Sequence, residues 1–95
     1  MTALPTADCI EELRAQIERI DRELVTLVAQ RVDVARRVGS AKRAAGLPTL
    51  DPAREAAVLR RVAELARESH LEEEDVRSIF WNVMAISRRA QTEEP

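Results

Sequence analysis

Apolar side chains recur every three or four residues along the first half of the chain. The recurrence predicts a first helix from about Asp8 to about Arg43, provided that Arg31 counts as a member of the same face. No proline interrupts this stretch, and Gly46 and Pro48 follow it as helix breakers. The apolar members of this face are Leu13, Ile17, Ile20, Leu24, Leu27, Val34, Val38 and Ala41.

Cap signals indicate where the helices begin. Asp8 followed by Glu11 resembles a capping box. Asp51 is a good N-cap, and Pro52 occupies the favoured first position of a second helix, about residues 52–68. An acidic start favours a third helix, about residues 72–91. The faces of these two helices contain Val58, Leu59, Val62, Leu65 and Ala66, then Val76, Ile79, Phe80, Val83 and Met84. The sequence therefore predicts an all-α protein of three helices.

The length of the first helix predicts a second subunit. About 36 helical residues span roughly 54 Å, whereas a compact chain of this size has a diameter of roughly 30 Å. Two shorter helices cannot cover so long an apolar face. We therefore expect an intertwined homodimer with antiparallel first helices. A monomeric three-helix bundle with a kinked first helix is the alternative.

Composition excludes several classes of function. The 15 basic and 17 acidic residues are interspersed, so no basic surface for nucleic acid is expected. No apolar run could span a membrane, and the start MTALPTADC does not resemble a signal peptide, which predicts a cytoplasmic protein. Cys9 is the only cysteine. Since there is also no Cys/His cluster, glycine-rich phosphate loop or nucleophile–base pair, we expect no metal and no cofactor.

Six polar groups fall on faces that are otherwise apolar, and their spacing places them inward on all three helices. Buried charge without partners is strongly unfavourable, so these groups must meet one another, water or a ligand. Singly, each has a structural explanation, such as an arginine extending to solvent or a lysine near a helix C-terminus. Together they predict a polar pocket. They are Arg31, Lys42, Asp51, Glu55, Ser87 and Gln91.

Other arginines divide into two groups. Arg14 lies 17 residues before Arg31, roughly 25 Å along the helix, so the two cannot hold one small ligand within a subunit. In an antiparallel dimer, however, Arg14 of the partner can approach the Arg31 end. Two arginines and a lysine suit a small dianion with carboxylates. The pairs Arg36/Arg37, Arg60/Arg61 and Arg88/Arg89 are predicted to lie on solvated faces.

Three segments of the chain resemble the all-helical chorismate mutases. They are LRAQIERIDRELVTLVAQRVDVARRVGSAK, LDPARE and SRRAQ, in a match from about residue 10 to 91. The resemblance implies one domain over residues 1–95, an intertwined dimer and conversion of chorismate to prephenate in phenylalanine and tyrosine biosynthesis. It implies no cofactor, and small enzymes of this type can associate with another enzyme of the shikimate pathway.

The resemblance also implies a role for each site residue. Arg14 of the partner subunit and Arg31 would hold the two substrate carboxylates. Lys42 would contact a carboxylate and the ether oxygen, which Gln91 would contact from the other side. Lys42, Gln91, Arg31 and Glu55 would be the catalytic residues. The backbone of Asp51 would join Glu55 at the ring hydroxyl, and Ser87 would assist at a carboxylate. Arg54 would make an outer contact. The apolar walls would be Val38, Val58 and Met84.

Two relatives on the same scaffold remain as alternatives. Isochorismate-pyruvate lyases would lack the acidic pair that Asp51 and Glu55 supply here, and 4-amino-4-deoxychorismate mutases would differ around the LDPARE segment. Retention of both acids therefore favours chorismate. A non-catalytic helical dimerisation or regulatory module is a further alternative, but it would not require six inward polar groups.

Overall fold

Three α-helices form the protein in the computed structural model, which describes residues 7–93 without the side chains of residues 7 and 8. Helix α1 comprises Ala7–Ala44, α2 comprises Pro52–Glu68 and α3 comprises Glu73–Gln91. No strand occurs in this described range. The all-α fold with a very long first helix is therefore confirmed, with helix bounds within one residue of those expected. The capping box predicted at Asp8 lies outside the described side chains.

The backbone divides into two compact units, Met1–Gln30 and Arg31–Pro95. In the first unit, residues 7–30 belong to α1. The members of the predicted apolar face in this unit are exposed, by 49% at Leu13 and 60% at Leu27. Since a continuous apolar surface of this kind is typical of an interaction site, this unit presents a face that suits another helix.

The second unit contains a core between α2 and α3. Val58, Val62 and Met84 are its buried centre, and Leu59, Val76 and Phe80 pack around them. Leu65 and Ile79 were expected on the apolar faces but are exposed. Leu65 faces outward because Ala63 and Ala66 are the residues that this turn of α2 buries. This core fixes the two helices that contribute most of the cavity described below.

Left-handed residues end the first two helices. Gly46 has φ 69°, and the Leu47 and Gly46 N–H groups donate to the carbonyl oxygens of Lys42 and Arg43 at 2.8 and 3.2 Å. This is a Schellman motif, for which glycine is the usual residue. Helix α2 ends in the same way, but with His70 at φ 58°. The first motif fixes where the chain leaves α1, two residues after Lys42.

Helices α1 and α3 approach closely at Gly39. A Cβ atom at this position would lie 2.3 Å from the backbone oxygen of Gln91 and 2.7 Å from its Cα atom. Real Cβ contacts do not occur at such distances, so only glycine allows the last turn of α3 to lie here. The approach places Gln91 beside the last turns of α1.

Candidate active site

One cavity of about 460 Å³ lies within the second unit. Its walls come from the C-terminal part of α1, the start of α2 and the end of α3. Ten of the eleven site residues predicted from the sequence line it. They are Arg31, Val38, Lys42, Asp51, Arg54, Glu55, Val58, Met84, Ser87 and Gln91. The lining also includes Val34, Ala35 and Arg61, which were not predicted as site residues.

Lys42 is positioned by the end of its own helix. Its Nζ atom donates to the backbone oxygen of Thr49 at 2.8 Å and to Oε1 of Gln91 at 2.9 Å. An ammonium group has three N–H bonds. Two of them are used in these contacts, and the third can donate to a ligand in the cavity.

Gln91 is held through both its backbone and its amide. Its backbone oxygen accepts from Nη1 of Arg43 at 2.6 Å, and Nη2 of Arg43 donates to the backbone oxygen of Glu93 at 3.0 Å. Arg36 also forms an ion pair with Glu93. Because Oε1 of Gln91 accepts from Lys42, its Nε2 group is the part that can donate to a ligand.

Arg31 is half-buried and contacts Ser87. Its Nη1 atom donates to the Ser87 hydroxyl oxygen at 2.6 Å, and that hydroxyl donates to the backbone oxygen of Val83 at 2.9 Å. A hydroxyl has one proton, so a ligand carboxylate would have to compete with Val83 for it. In this structure Ser87 thus supports Arg31.

The two carboxylates lie at the start of α2. Asp51 caps the helix, with Oδ1 accepting from the Arg54 backbone N–H at 3.1 Å. Glu55 lies one turn later and pairs with Arg88 of α3 through two hydrogen bonds. The Arg88 hydrogen bonds lower the pKa of the Glu55 carboxyl against partial burial, and the charges of Arg88 and Lys42 lower it further. Glu55 is therefore an ionised acceptor at neutral pH.

The charged lining suits a dianion. Four cations and two carboxylates give the cavity wall a net charge of +2; they are Arg31, Lys42, Arg54 and Arg61, with Asp51 and Glu55. Burial lowers the pKa of Arg31, and the charges of Arg61 and Arg54 lower it further. An anion bound beside Arg31 would offset the repulsion from these two neighbouring cations.

Sequence reasoning missed Arg61 and Arg88, both of which were expected on solvated faces. Arg61 lies three residues after Val58 and six after Glu55, so the face that placed Glu55 in the cavity could have included it. For Arg88 the sequence contains no comparable signal, since its partner is 33 residues away. Arg36, also expected on a solvated face, is exposed but pairs with Glu93.

Arg14 lies in the first unit, where it pairs with Glu11 at 2.8 Å. A larger groove of about 540 Å³ also lies in that unit, but a single exposed face of α1 forms it, and no polar groups from different elements converge there. Among the described residues, no group of three or more His, Cys, Asp or Glu could hold a metal ion. None of the described helices is long and apolar enough to cross a bilayer.

Comparison with known proteins identifies the family. Residues 13–92 match the chorismate mutase type II family. The chain belongs to this family. This confirms the family resemblance found in the sequence.

Individual chorismate mutase relatives differ in length. The chorismate mutase of Methanocaldococcus jannaschii is 32% identical over 82 residues, which cover 86% of this chain and 83% of that protein. The bifunctional chorismate mutase/prephenate dehydratase of Aquifex aeolicus is 37% identical over 59 residues. The match covers 62% of this chain but only 16% of the Aquifex protein. A conserved hypothetical protein from Pyrococcus furiosus has a similar structure, with a TM-score of 0.72, 29% identity and coverage of 90% of this chain and 99% of that one.

Proposed function

We propose that this protein is a chorismate mutase that converts chorismate to prephenate by a Claisen rearrangement. The observation that carries the proposal is the convergence of Arg31, Lys42, Glu55 and Gln91 on one cavity. Chorismate has two carboxylates, an ether oxygen and a ring hydroxyl. The lining offers a complementary group for each, and membership of the type II family supports the match.

In the proposed complex, Arg31 binds one carboxylate, and Lys42 contacts a carboxylate and the ether oxygen. Nε2 of Gln91 donates to that oxygen from the other side. Val38, Val58 and Met84 form the apolar walls, and Arg54 makes an outer contact. Apolar walls restrict the flexible enolpyruvyl chain to the conformer in which its terminal carbon lies over the ring.

The rearrangement breaks a carbon–oxygen bond and forms a carbon–carbon bond in one concerted step. It needs neither an acid, a base, a nucleophile nor a cofactor. Negative charge grows on the ether oxygen as its bond to the ring breaks. Because Lys42 and Gln91 are already hydrogen-bonded to each other at 2.9 Å, their remaining N–H groups need little reorganisation to stabilise that charge. Restraint of the reactive conformer lowers the barrier further.

The ring hydroxyl determines which substrate is preferred. Glu55 is an ionised acceptor, and the Asp51 backbone lies one turn before it at the start of α2. An ionised acceptor at this end favours a substrate with a hydroxyl donor in this position, hence chorismate. The lyase acting on isochorismate and the mutase acting on 4-amino-4-deoxychorismate are the competing assignments.

The direct test is incubation of the purified protein with chorismate, isochorismate and 4-amino-4-deoxychorismate in separate reactions, with products identified by chromatography. Prephenate from chorismate alone is the expected result. Pyruvate release from isochorismate would support the lyase, and no depletion of any of the three would support a non-catalytic module. Arg31→Ala is the matched inactive control, with at least about a hundredfold loss of turnover.

We also propose that the active form is an intertwined homodimer in which Arg14 of one subunit completes the site of the other. The exposed apolar residues between Ile10 and Leu27 support this proposal, because the same face of a second, antiparallel copy would cover them. Arg14 pairs only with Glu11, one turn away on the same exposed face, among the described contacts. It could therefore exchange that weak surface pair for a ligand carboxylate.

Complementation tests the shared site. Arg14→Ala and Arg31→Ala homodimers should each be inactive. In a mixed dimer, the site that contains intact Arg31 also receives intact Arg14 from its partner. Random exchange of subunits should therefore restore about a quarter of the wild-type sites. No recovery of activity on mixing, in a sample shown to exchange subunits, would contradict the proposal.

Three broader features complete the proposal. Residues 1–95 would form one domain, and the protein would act in the cytoplasm. Its product, prephenate, would be used for phenylalanine and tyrosine synthesis. The proposal includes association with another enzyme of the shikimate pathway, which is tested by co-elution on size-exclusion chromatography. The name of the Aquifex relative, which couples a mutase with a prephenate dehydratase, supports this pathway position.

A further inference from the structure

Arg88 and Glu55 form a two-pronged ion pair that joins the ends of two helices. Nε of Arg88 donates to Oε2 of Glu55 at 3.0 Å, and Nη2 donates to Oε1 at 2.7 Å. Planar guanidinium groups form this paired geometry with carboxylates, and it fixes the orientation of both groups. Both carboxylate oxygens of Glu55 are therefore held in place by α3.

The pair has one member inside the cavity wall and one outside it. Glu55 lines the cavity, whereas Arg88 does not. The side chains are 27% and 39% exposed, so neither is free in solvent. A carboxylate has about four acceptor positions on its two oxygens. Two are used by Arg88, and the others remain for a hydroxyl donor in the cavity.

We propose that Arg88 is a positioning residue, which acts on substrate through Glu55 by holding its carboxylate in the orientation that accepts the ring hydroxyl. The inference rests on the proposed function, because it concerns the hydroxyl end of the same site. It assigns to Arg88 a role in substrate recognition without any contact between Arg88 and the substrate.

Charged groups from three directions act on Glu55. Lys42 approaches from α1 and Asp51 from the cap of α2, and they have opposite effects on the carboxyl pKa. Arg88 approaches from α3, and its hydrogen bonds are the largest cause of the lowered pKa of Glu55. Removal of Arg88 should therefore leave Glu55 easier to protonate, as well as free to change rotamer.

Two variants separate orientation from charge. Arg88→Met removes both hydrogen bonds to Glu55 and the charge. Arg88→Lys keeps the charge but lacks the planar pair of N–H donors. Arg89→Met is the matched control, since Arg89 is the next residue of α3 and is exposed. We expect Arg88→Met to lower kcat/KM by about tenfold, mainly through KM, with Arg88→Lys intermediate and Arg89→Met like wild type.

The decisive readouts are the pH profile of kcat/KM and the carbon-13 NMR titration of the Glu55 carboxyl, assigned with Glu55→Gln. Arg88→Met should move both the acid limb of the profile and the Glu55 titration to higher pH. It should also cause no further loss of kcat/KM in a Glu55→Gln background. A full additional loss in that background, or an unchanged titration in Arg88→Met, would overturn the inference.

Failure of the proposed function would look different. If the wild-type protein left chorismate unchanged, kcat/KM could not be measured for any variant, including the Arg89→Met control. The NMR titration would still show whether Arg88 governs Glu55, and isothermal titration with prephenate would show whether Arg88→Met weakens binding to this cavity. If Arg88→Met did not fold, Arg88→Lys would decide by the same titration.

Discussion

Nζ of Lys42 lies 2.9 Å from Oε1 of Gln91, and this hydrogen bond joins residues 49 positions apart in the chain. It links the last turn of α1 to the last residue of α3. Each side chain keeps an N–H group that can donate into the cavity. The pair thus places two donor groups side by side in the cavity wall, as stabilisation of a developing oxyanion requires.

Loss of the Lys42 ammonium should remove most of the activity. Lys42→Ala is expected to reduce kcat by at least about a hundredfold, as for loss of one preorganised oxyanion donor. Circular dichroism should show an unchanged helical fold. Arg37→Ala is the matched control, because Arg37 is an exposed cation on the same helix that pairs with Asp33 at 3.6 Å. Near-normal turnover by Lys42→Ala would contradict the site assignment.

Gly39→Ala should destabilise the protein and lower kcat together. In an exposed helix interior this change is favourable by up to about 1 kcal/mol. Here the new Cβ would lie 2.3 Å from the Gln91 backbone oxygen, so the end of α3 must shift. We expect a net loss of about 1–3 kcal/mol, measured by urea denaturation.

The control for Gly39→Ala is Ser40→Ala, the next residue of α1 and an exposed one. It should leave both kcat and the denaturation midpoint close to wild type. Glycine-to-alanine changes in exposed helix interiors are stabilising. If Gly39→Ala were stabilising to the same extent, the close approach of α1 and α3 would be absent in solution.

His70→Gly should stabilise the protein. His70 is held at φ 58°, in the left-handed region that costs a side-chain-bearing residue roughly 1 kcal/mol. Glycine removes that cost, so we expect the thermal midpoint to rise by a few degrees. Ser69→Gly is the matched control, because Ser69 has φ −96° and gains nothing from glycine. Equal effects of the two changes would refute the explanation.

Stability should fall on acidification. Arg88 and Arg67 lower the pKa of Glu55 and Glu73, respectively, from an ordinary value of 4.5. A carboxyl whose pKa is lower in the folded state contributes its full stabilisation above the unfolded value. That contribution disappears as the pH falls through the folded value. Urea midpoints measured from neutral pH downward should therefore decline below about 4.5, and Glu55→Gln should reduce the decline.

Much of the fold could be predicted because helix geometry is local. The spacing of apolar residues predicted three helices, and Asp51 predicted the start of α2 with the cap that the structure shows. The same spacing placed Lys42, Glu55 and Gln91 on inward faces, and these residues line one cavity. Site residues that interrupt an apolar face are visible in a sequence because the interruption itself is the signal.

Arginines outside those faces gave no such signal. A long charged side chain is favourable on any solvated surface, so the sequence could not distinguish Arg88 from Arg89. Which of them meets a partner depends on the rotation of one helix against another. That rotation is set by packing of the α2–α3 core around Val62.

The sequence by itself thus determined the helices, the N-cap of α2 and the inward polar residues, because each follows from interactions within a few turns of one helix. Tertiary structure alone decided that Arg88 holds Glu55, that Arg43 holds the end of α3, and that Gln91 meets Lys42. These contacts join residues 33 to 49 positions apart. Over such separations the packing of helices sets the distance between side chains, and helical periodicity carries no information about it.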